Sequence, residues 1–507
     1  MPAIELTESV SGAPTTLALR KNSADSPSLL ERGGVRSGGS ASVASSVFNL
    51  ANTIMGTGML ALPHAFATAG LASGLALCVV SAAANAFTNH LLTAASHRIE
   101  GTSLPAMAEA ALPFWGGLVM DVAILLNGLG VCASYMIVAT DSFVEVTGVE
   151  VRQAWTMLAL TLVAPLTLLR KLDSLRFTSL LAIVAVALIA ATIVAFAAAG
   201  SADLDGGSGA EVASGAPPSA PPAPPPLLDA CAAYDGPHRP SCSTVACPSG
   251  GCTDPTACPG AVEAVRSFSN FLKAFPTFVL AFGCQQNMLA LAAELREPSP
   301  LRTGIVIGLG IGAALLVYVV VASAGYATFG DLVCSDILNS YPRNGVVTVA
   351  RLLITLVVLT SYPLIAYEAK HSCLKLLRLL ERAAAACARR SVDRRPSKEA
   401  EETADGAAWR CRCWPPAFVD APIEIAVAAL FLLLTTSIAL GVRDLGVIVG
   451  LVGASAGNLI SFIVPAGSYF FLMPHEKWSA KRVGALVTLV AGIVLLPTCV
   501  AMVFIDT

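Results

Sequence analysis

The amino-acid sequence predicts an all-α polytopic membrane protein, and two observations carry that prediction: the composition and the lengths of the apolar segments. Of the 507 residues, 55% are hydrophobic and only 13% are charged, and the mean hydropathy is +0.71. Such values are typical of a chain that places most of its helical surface in lipid. Eleven apolar segments reach about 20 residues, the length that a helix needs to cross a bilayer. They lie near residues 45–67, 71–96, 116–140, 153–169, 177–199, 267–293, 303–326, 346–369, 422–441, 445–472 and 484–504.

The distribution of Lys and Arg predicts how these spans are oriented. With the N-terminus in the cytosol, 24 of the 31 basic residues fall in cytosolic segments and 7 elsewhere. Basic residues accumulate on the cytosolic side of membrane proteins, whereas the net charge of −3 does not indicate the orientation. We therefore expect a cytosolic N-terminus and, after eleven spans, a luminal or extracellular C-terminus. Residues 1–40 contain no short apolar signal core, so the first span is expected to target the chain to the membrane.

The first span reads SSVFNLANTIMGTGMLALPHAF and contains residues that suit an interruption better than a continuous helix. Two glycines weaken the helical hydrogen bonding, and Pro63 follows shortly after, so we expect a break at Met55–Gly58. Non-helical backbone at membrane depth is tolerated only where protein buries it or where it lines a cavity. The alternative is a kinked helix that packs closely against a neighbour. The candidate substrate-binding residues here are Asn52, Thr53, Met55, Gly56, Thr57 and Gly58.

The sixth span carries a second candidate break within AFGCQQNMLAL. Three consecutive amides in an apolar span are costly unless they bond to one another, to backbone, to water or to a ligand. An interhelical hydrogen-bond cluster is the alternative to a binding site. Spans one and six are the first members of two groups of five, so the two breaks occupy corresponding positions, as in inverted-repeat transporters. The candidate substrate-binding residues here are Phe282, Gly283, Cys284, Gln285, Gln286 and Asn287.

Two interrupted helices also indicate the chemistry of the ligand. The N-terminal ends of half-helices favour an anionic group, and free carbonyls suit an ammonium or a metal cation. An α-amino acid supplies both charges. In span eight, Thr360 and Ser361 precede Pro363. Their hydroxyls either cap the backbone groups that the proline frees or complete an oxygen cage for sodium with span one.

The domain organisation follows from these segments. We expect a disordered cytosolic tail at 1–44, followed by a first transmembrane repeat at 45–199. A luminal or extracellular Pro/Cys-rich loop at 200–266 leads to a second repeat at 267–472, which contains a cytosolic basic loop at 370–420. The eleventh span and a short C-terminus occupy 473–507. The tail contains DSPSLL, which matches an acidic dileucine sorting signal and favours an endolysosomal or vacuolar membrane over the plasma membrane.

Six cysteines fall on the predicted oxidising side of the membrane, which favours disulfide bonds. A zinc site fits worse because no CxxC pair is present. The candidates are Cys231, Cys242, Cys247, Cys252, Cys258 and Cys334.

Five of the spans resemble those of the amino acid/auxin permease family, in particular its branch of sodium-coupled neutral amino acid transporters and vacuolar amino acid transporters. The resemblance covers about residues 45–504 and rests on SSVFNLANTIMGTGMLALPHAF in span one, LLNGLGVCASYMIVATD in span three, AFGCQQNMLALAAEL in span six, LTSYPLIAYEAK in span eight and GLVGASAGNLISFIVP in span ten. It implies a LeuT-like fold, with a 5+5 inverted repeat plus one peripheral helix, and symport of neutral amino acids by alternating access.

The resemblance also implies roles for single residues. Asn52 matches an asparagine that the family associates with sodium and substrate, and Ser361 matches a hydroxyl position associated with sodium. Thr360 takes that position if the register slips by one. Gln285 stands where some members have histidine, which leaves the pH sensitivity and the substrate open.

Together these observations predict a secondary active transporter of neutral amino acids, coupled to sodium or protons. Its partners are the amino acid, the coupling ion and the lipid bilayer, with no nucleic acid and no cofactor beyond a candidate sodium ion. An amino acid sensor that signals through its cytosolic segments is the alternative. A channel is disfavoured because the sequence shows no repeated pore loop, and no nucleophile, metal set or phosphate loop is arranged for an enzyme.

Overall fold

The computed structural model describes residues 41–56, 58–96, 103–113, 115–168, 178–199, 261–341, 343–392, 416–473 and 478–505. Within these residues the fold is helical, with one isolated β-bridge between Ala41 and Leu295. The α-helices are α1 (Val43–Ile54), α2 (Gly58–Ala69), α3 (Leu71–Ser96), α4 (Leu104–Ala111), α5 (Trp115–Thr147), α6 (Arg152–Leu168), α7 (Thr178–Ala199), α8 (Phe268–Ala281), α9 (Gln285–Glu294), α10 (Pro300–Phe329), α11 (Gly345–Val392), α12 (Pro416–Gly441), α13 (Leu445–Val452), α14 (Val464–Leu472) and α15 (Ala480–Ile505).

Several predictions concern residues outside this description. They include the tail up to residue 40 with its sorting signal, residues 393–415 of the basic loop, Thr57, and five of the six candidate disulfide cysteines, namely Cys231, Cys242, Cys247, Cys252 and Cys258. The sixth, Cys334, is half-buried in the segment after α10. The disulfide bonds therefore stay a prediction.

Seven of the described helical segments are long and apolar enough to cross a membrane, which supports the prediction of an all-α polytopic membrane protein. Four predicted spans do not reach that length: spans one and six are each divided into two helices, α6 has 17 residues, and the apolar part of α7 covers Ala182–Ala198. The count of eleven and the 5+5 repeat stay predictions. The seven segments are Leu71–Ser96, Trp115–Thr147, Pro300–Leu332, Gly345–Glu381, Ile423–Gly441, Leu445–Leu472 and Ala480–Ile505.

The most extensive helix pair joins α5 to α11. Their backbones approach closely because Gly128 faces Ala369: a Cβ atom on Gly128 would lie 2.5 Å from the Cβ of Ala369. Small residues at such contacts let membrane helices pack without a water-driven hydrophobic force. Near one end of the pair, the Ser372 hydroxyl donates a 3.0 Å hydrogen bond to buried Asp121.

The divided helices of spans one and six pack against each other and against α10. The most extensive contact of α2 is with α8, and that of α1 is with α10. The rings of Phe66 and Phe278 lie 5.9 Å apart between α2 and α8. The β-bridge joins the chain before α1 to the end of span six: the N–H of Ala41 donates to Glu294 at 3.1 Å, and the N–H of Arg296 donates back to Ala41 at 2.9 Å. Spans one and six are thus connected outside their helices as well as along them.

Span ten contains two π-helical turns, Gly453–Gly457 and Leu459–Ile463, between α13 and α14. Such turns are rare and are frequently found at functional sites. The first turn lies directly against α8, because a Cβ atom on Gly453 would be 2.0 Å from the carbonyl oxygen of Pro276. Glycine at this position therefore allows span ten to touch the backbone of span six.

We predict that Gly453→Ala lowers stability by about 2 kcal/mol, because the added methyl overlaps a backbone atom that cannot rotate away. Thermal unfolding of the purified protein in detergent measures the loss. Gly308→Ala on α10 is the control, since a Cβ atom there meets nothing within 4 Å. Equal unfolding midpoints for Gly453→Ala and the unmodified protein would contradict the proposed contact.

Candidate functional site

The first break, which includes Met55 and Gly56, separates α1 from α2 where the sequence predicts it. Helix α1 ends at Ile54, and Met55 has a non-helical ψ of 67°. The N–H of Gly56 turns back to the carbonyl of Ile54 at 2.8 Å. Helix α2 then begins at Gly58. The predicted interruption is confirmed.

The second break, residues 282–284, separates α8 from α9. Helix α8 ends at Ala281, and the N–H of Gly283 bonds to the carbonyl of Leu280 at 3.1 Å. Cys284 has φ −140° and ψ 5°, and α9 starts at Gln285. The interruption is again where the sequence predicts it. The three consecutive amides, however, belong to the first turn of α9 rather than to the break.

The two breaks lie against each other. A Cβ atom on Gly58 would be 2.9 Å from the Cα of Ala281, so the start of α2 touches the end of α8. The buried hydroxyl of Tyr318, on α10, lies 2.6 Å from the carbonyl oxygen of Ile54 and 3.0 Å from that of Ala281. Sequence analysis did not single out Tyr318. The available signal was a tyrosine within an apolar span, since a buried phenol generally finds a hydrogen-bond partner.

Asn52 lies one turn before the first break and differs from its polar neighbour. Its side-chain oxygen Oδ1 is buried and accepts no hydrogen bond within the described part of the chain. The hydroxyl of Thr53, by contrast, donates to the carbonyl of Asn49 on its own helix at 2.9 Å. A buried acceptor without a partner costs free energy. Asn52 Oδ1 therefore suits a cation or an N–H donor supplied by a ligand.

Gln285 is fully buried and bonded at both ends of its amide. Its Nε2 donates to Asn85 Oδ1 at 2.7 Å and to Thr88 Oγ1 at 3.2 Å, both on α3, and to the carbonyl of Ser461 at 3.4 Å. Its Oε1 accepts from the backbone N–H of Cys284 at 2.9 Å and from Ser461 Oγ at 3.2 Å. For Gln285 this geometry favours the interhelical cluster over substrate contact, because the amide connects spans two, six and ten.

The other predicted residues around the breaks differ in burial. Cys284 is buried and its Sγ accepts from Asn89 Nδ2 at 3.3 Å, which extends the same cluster. Phe282 is also buried. Met55, Gly56, Gly58, Gly283 and Gln286 are half-buried, and Asn287 is exposed.

The predicted sodium ligands lie on helices that are not principal neighbours. Helix α1 packs mainly on α10, with smaller contacts to α9 and α7, whereas α11 packs on α5, α7, α6 and α12. The Thr360 hydroxyl donates to the carbonyl of Leu356, one turn earlier on its own helix, at 2.8 Å. The carbonyl that Pro363 leaves without an N–H partner is that of Leu359, so this bond does not decide between the two alternatives. Ser361 is half-buried on α11. A sodium cage shared by Asn52 with Thr360 or Ser361 therefore stays a prediction.

The family model described as "Transmembrane amino acid transporter protein" matches residues 39–213 and 256–505. The chain belongs to this family. The stretch between the two matches lies within the predicted Pro/Cys-rich loop, so that part of the loop is not shared with the family model.

Relatives of this transmembrane amino acid transporter family cover most of the chain. Vacuolar amino acid transporter 5 of Schizosaccharomyces pombe is 26% identical over 85% of this chain and 85% of its own length. Vacuolar amino acid transporter 6 of Saccharomyces cerevisiae is 26% identical over 90% of this chain and 98% of its own. Sodium-coupled neutral amino acid transporter 4 of Rattus norvegicus is 24% identical over 92% of this chain and 85% of its own length. The predicted family and branch are confirmed, and these relatives are transporters rather than enzymes.

We predict that Gln285→Leu destabilises the fold by about 2 kcal/mol while keeping the side-chain volume similar. The substitution leaves buried partners on α3 and span ten unsatisfied, and a buried polar group without a partner costs about 1–3 kcal/mol. Thermal unfolding in detergent measures it. Gln286→Leu is the matched control, because this neighbouring glutamine is only half-buried. Equal losses of stability in the two variants would show that the hydrogen bonds of Gln285 do not stabilise the fold.

Proposed function

We propose that this chain is a secondary active transporter of neutral amino acids, coupled to sodium or protons, with alternating access to a site at the two breaks. One observation carries the proposal: the first and second breaks meet at Gly58 and Ala281, and the buried oxygen of Asn52 lies without a partner one turn away. Backbone that leaves the helix within apolar spans is the feature from which transporters of this kind build their sites.

The directions of the half-helices support an amino acid as the ligand. Helices α2 and α9 begin at the breaks, so their N-terminal ends favour a carboxylate. Helices α1 and α8 end there, so their carbonyls favour an ammonium group or a metal cation. An α-amino acid carries both groups at a fixed separation. Ile54, Met59 and Phe282 are buried apolar residues next to the breaks, which supports an uncharged side chain on the substrate.

Asn52 supports sodium as the coupling ion, because an uncharged amide oxygen is a hard ligand that a sodium ion accepts. The rat relative is also named as sodium-coupled. Protons are the alternative. The two yeast relatives are named vacuolar, which, with the dileucine motif of the tail, supports a vacuolar or endolysosomal membrane.

The test is uptake of labelled glutamine, alanine and leucine into proteoliposomes, with sodium and pH gradients imposed separately. Accumulation that depends on sodium supports the Asn52 site, and accumulation driven by pH supports proton coupling instead. Absence of uptake under either gradient, with amino acid binding intact, would reject transport.

We predict that Asn52→Ala raises the sodium concentration for half-maximal uptake about tenfold, because it removes one oxygen ligand worth about 1.4 kcal/mol. Uptake rates at graded sodium concentrations measure this. Asn49→Ala is the control, since Asn49 is an exposed asparagine almost one turn earlier on the same helix. Unchanged sodium dependence in Asn52→Ala would remove Asn52 from the ion site.

An amino acid sensor is the second candidate, and the β-bridge between Ala41 and Leu295 favours it. Because the N-terminal tail is bonded to the end of span six, a rearrangement at the breaks would change the attachment of the tail. A sensor would show slow turnover and a cytosolic partner that binds in one ligand state only. Proximity labelling with and without the amino acid distinguishes the two functions.

A further inference from the structure

A single hydroxyl group connects the two breaks. Tyr318 is fully buried on α10, and its hydroxyl lies within hydrogen-bond distance of the last carbonyls of α1 and α8, those of Ile54 and Ala281. A phenol has one proton, so the two carbonyls share one donor. The same Ile54 carbonyl also accepts the Gly56 N–H. Tyr318 is thus bonded to the backbone of both breaks at once.

The two carbonyls would otherwise repel each other. Each terminates a helix whose C-terminal end carries a partial negative charge of about half an electron. Both ends lie inside the protein, where charges interact more strongly than in water. The Tyr318 O–H dipole places a positive hydrogen between them. It therefore offsets a repulsion that the close contact of the breaks creates.

Tyr318 is itself held in a fixed orientation. Its ring packs edge-on against Phe282, the first residue of the second break, with the ring centroids 5.0 Å apart. Next to it, Gly58 lies against Ala281. The ring of Tyr318, its hydroxyl and the Gly58 contact thus each join the second break to its surroundings.

We propose that Tyr318 is a positioning residue for transport, which holds the two breaks in the one arrangement that binds the amino acid and its coupling ion. The inference rests on the proposed function. Tyr318 acts through the carbonyls of Ile54 and Ala281, and its loss lets the two negative helix ends move apart. Binding therefore weakens, while the amount of folded protein and the maximal rate per molecule stay nearly constant.

The variant Tyr318→Phe removes the hydroxyl and keeps the ring against Phe282. Tyr326→Phe is the matched control: Tyr326 is equally buried, lies two turns further along α10, and its hydroxyl accepts from the N–H of Glu263, away from the breaks. Initial rates of amino acid uptake into proteoliposomes, normalised to folded transporter, give KM and Vmax for each protein. We expect Tyr318→Phe to raise KM about tenfold, the effect of one buried hydrogen bond, with Vmax within about twofold. Tyr326→Phe is expected to leave KM unchanged.

A second measurement needs no transport. Hydrogen–deuterium exchange of peptides that cover Gly56 and Gly283 reports how firmly each break is held. We expect faster exchange at both breaks in Tyr318→Phe and in neither break of Tyr326→Phe. An unchanged KM, or unchanged exchange at the two breaks, would overturn the proposal. Faster exchange in a protein whose unmodified form shows no uptake would support the link between the breaks while rejecting the proposed function.

Discussion

Two helices of this protein stop inside an apolar interior, where the backbone groups at their ends must find hydrogen-bond partners. Each unpaired N–H or carbonyl costs several kcal/mol there. The N–H groups of Gly56 and Gly283 turn back onto the preceding residues, and the carbonyls of Ile54 and Ala281 share the hydroxyl of Tyr318. Span seven thus supplies a hydrogen-bond donor to the backbone of both breaks. This explains a buried tyrosine in a helix that is otherwise strongly apolar.

Hydrogen bonding distinguishes two of the polar side chains that the sequence predicts near the breaks, Gln285 and Asn52. Gln285, Asn85 and Thr88 find partners in one another and thereby fix α9 to α3, with Ser461 adding span ten. Asn52 Oδ1 finds none among the described residues. A polar side chain whose bonds are complete acts as a connection between helices, whereas a buried one with a free acceptor remains available to a ligand. This difference in hydrogen bonding separates Gln285 from Asn52, although the sequence predicts both as substrate-binding residues.

The sequence predicts the positions of both breaks because their signals are local: closely spaced glycines in one span and a glycine before three amides in the other. It cannot assign the role of Gln285, since that depends on Asn85, which lies 200 residues away in the chain. Tyr318 escapes sequence analysis for a related reason. Its partners are backbone carbonyls, and no residue type reveals where a carbonyl will lack a bond. Span number is also incompletely determined, because a divided span is too short to count by length alone.

The electrostatics of the breaks lead to one further step. The starts of α2 and α9 bring partial positive charge to the breaks, whereas the ends of α1 and α8 bring partial negative charge, to which the amide oxygen of Asn52 on α1 adds. One hydroxyl proton from Tyr318 offsets part of this charge but not the unpartnered oxygen of Asn52. On the proposed function, a cation supplied by the coupling ion or by the substrate ammonium completes the neutralisation. Cation affinity then depends on the close contact of the two helix ends. A change that separates the helix ends therefore weakens cation binding as well.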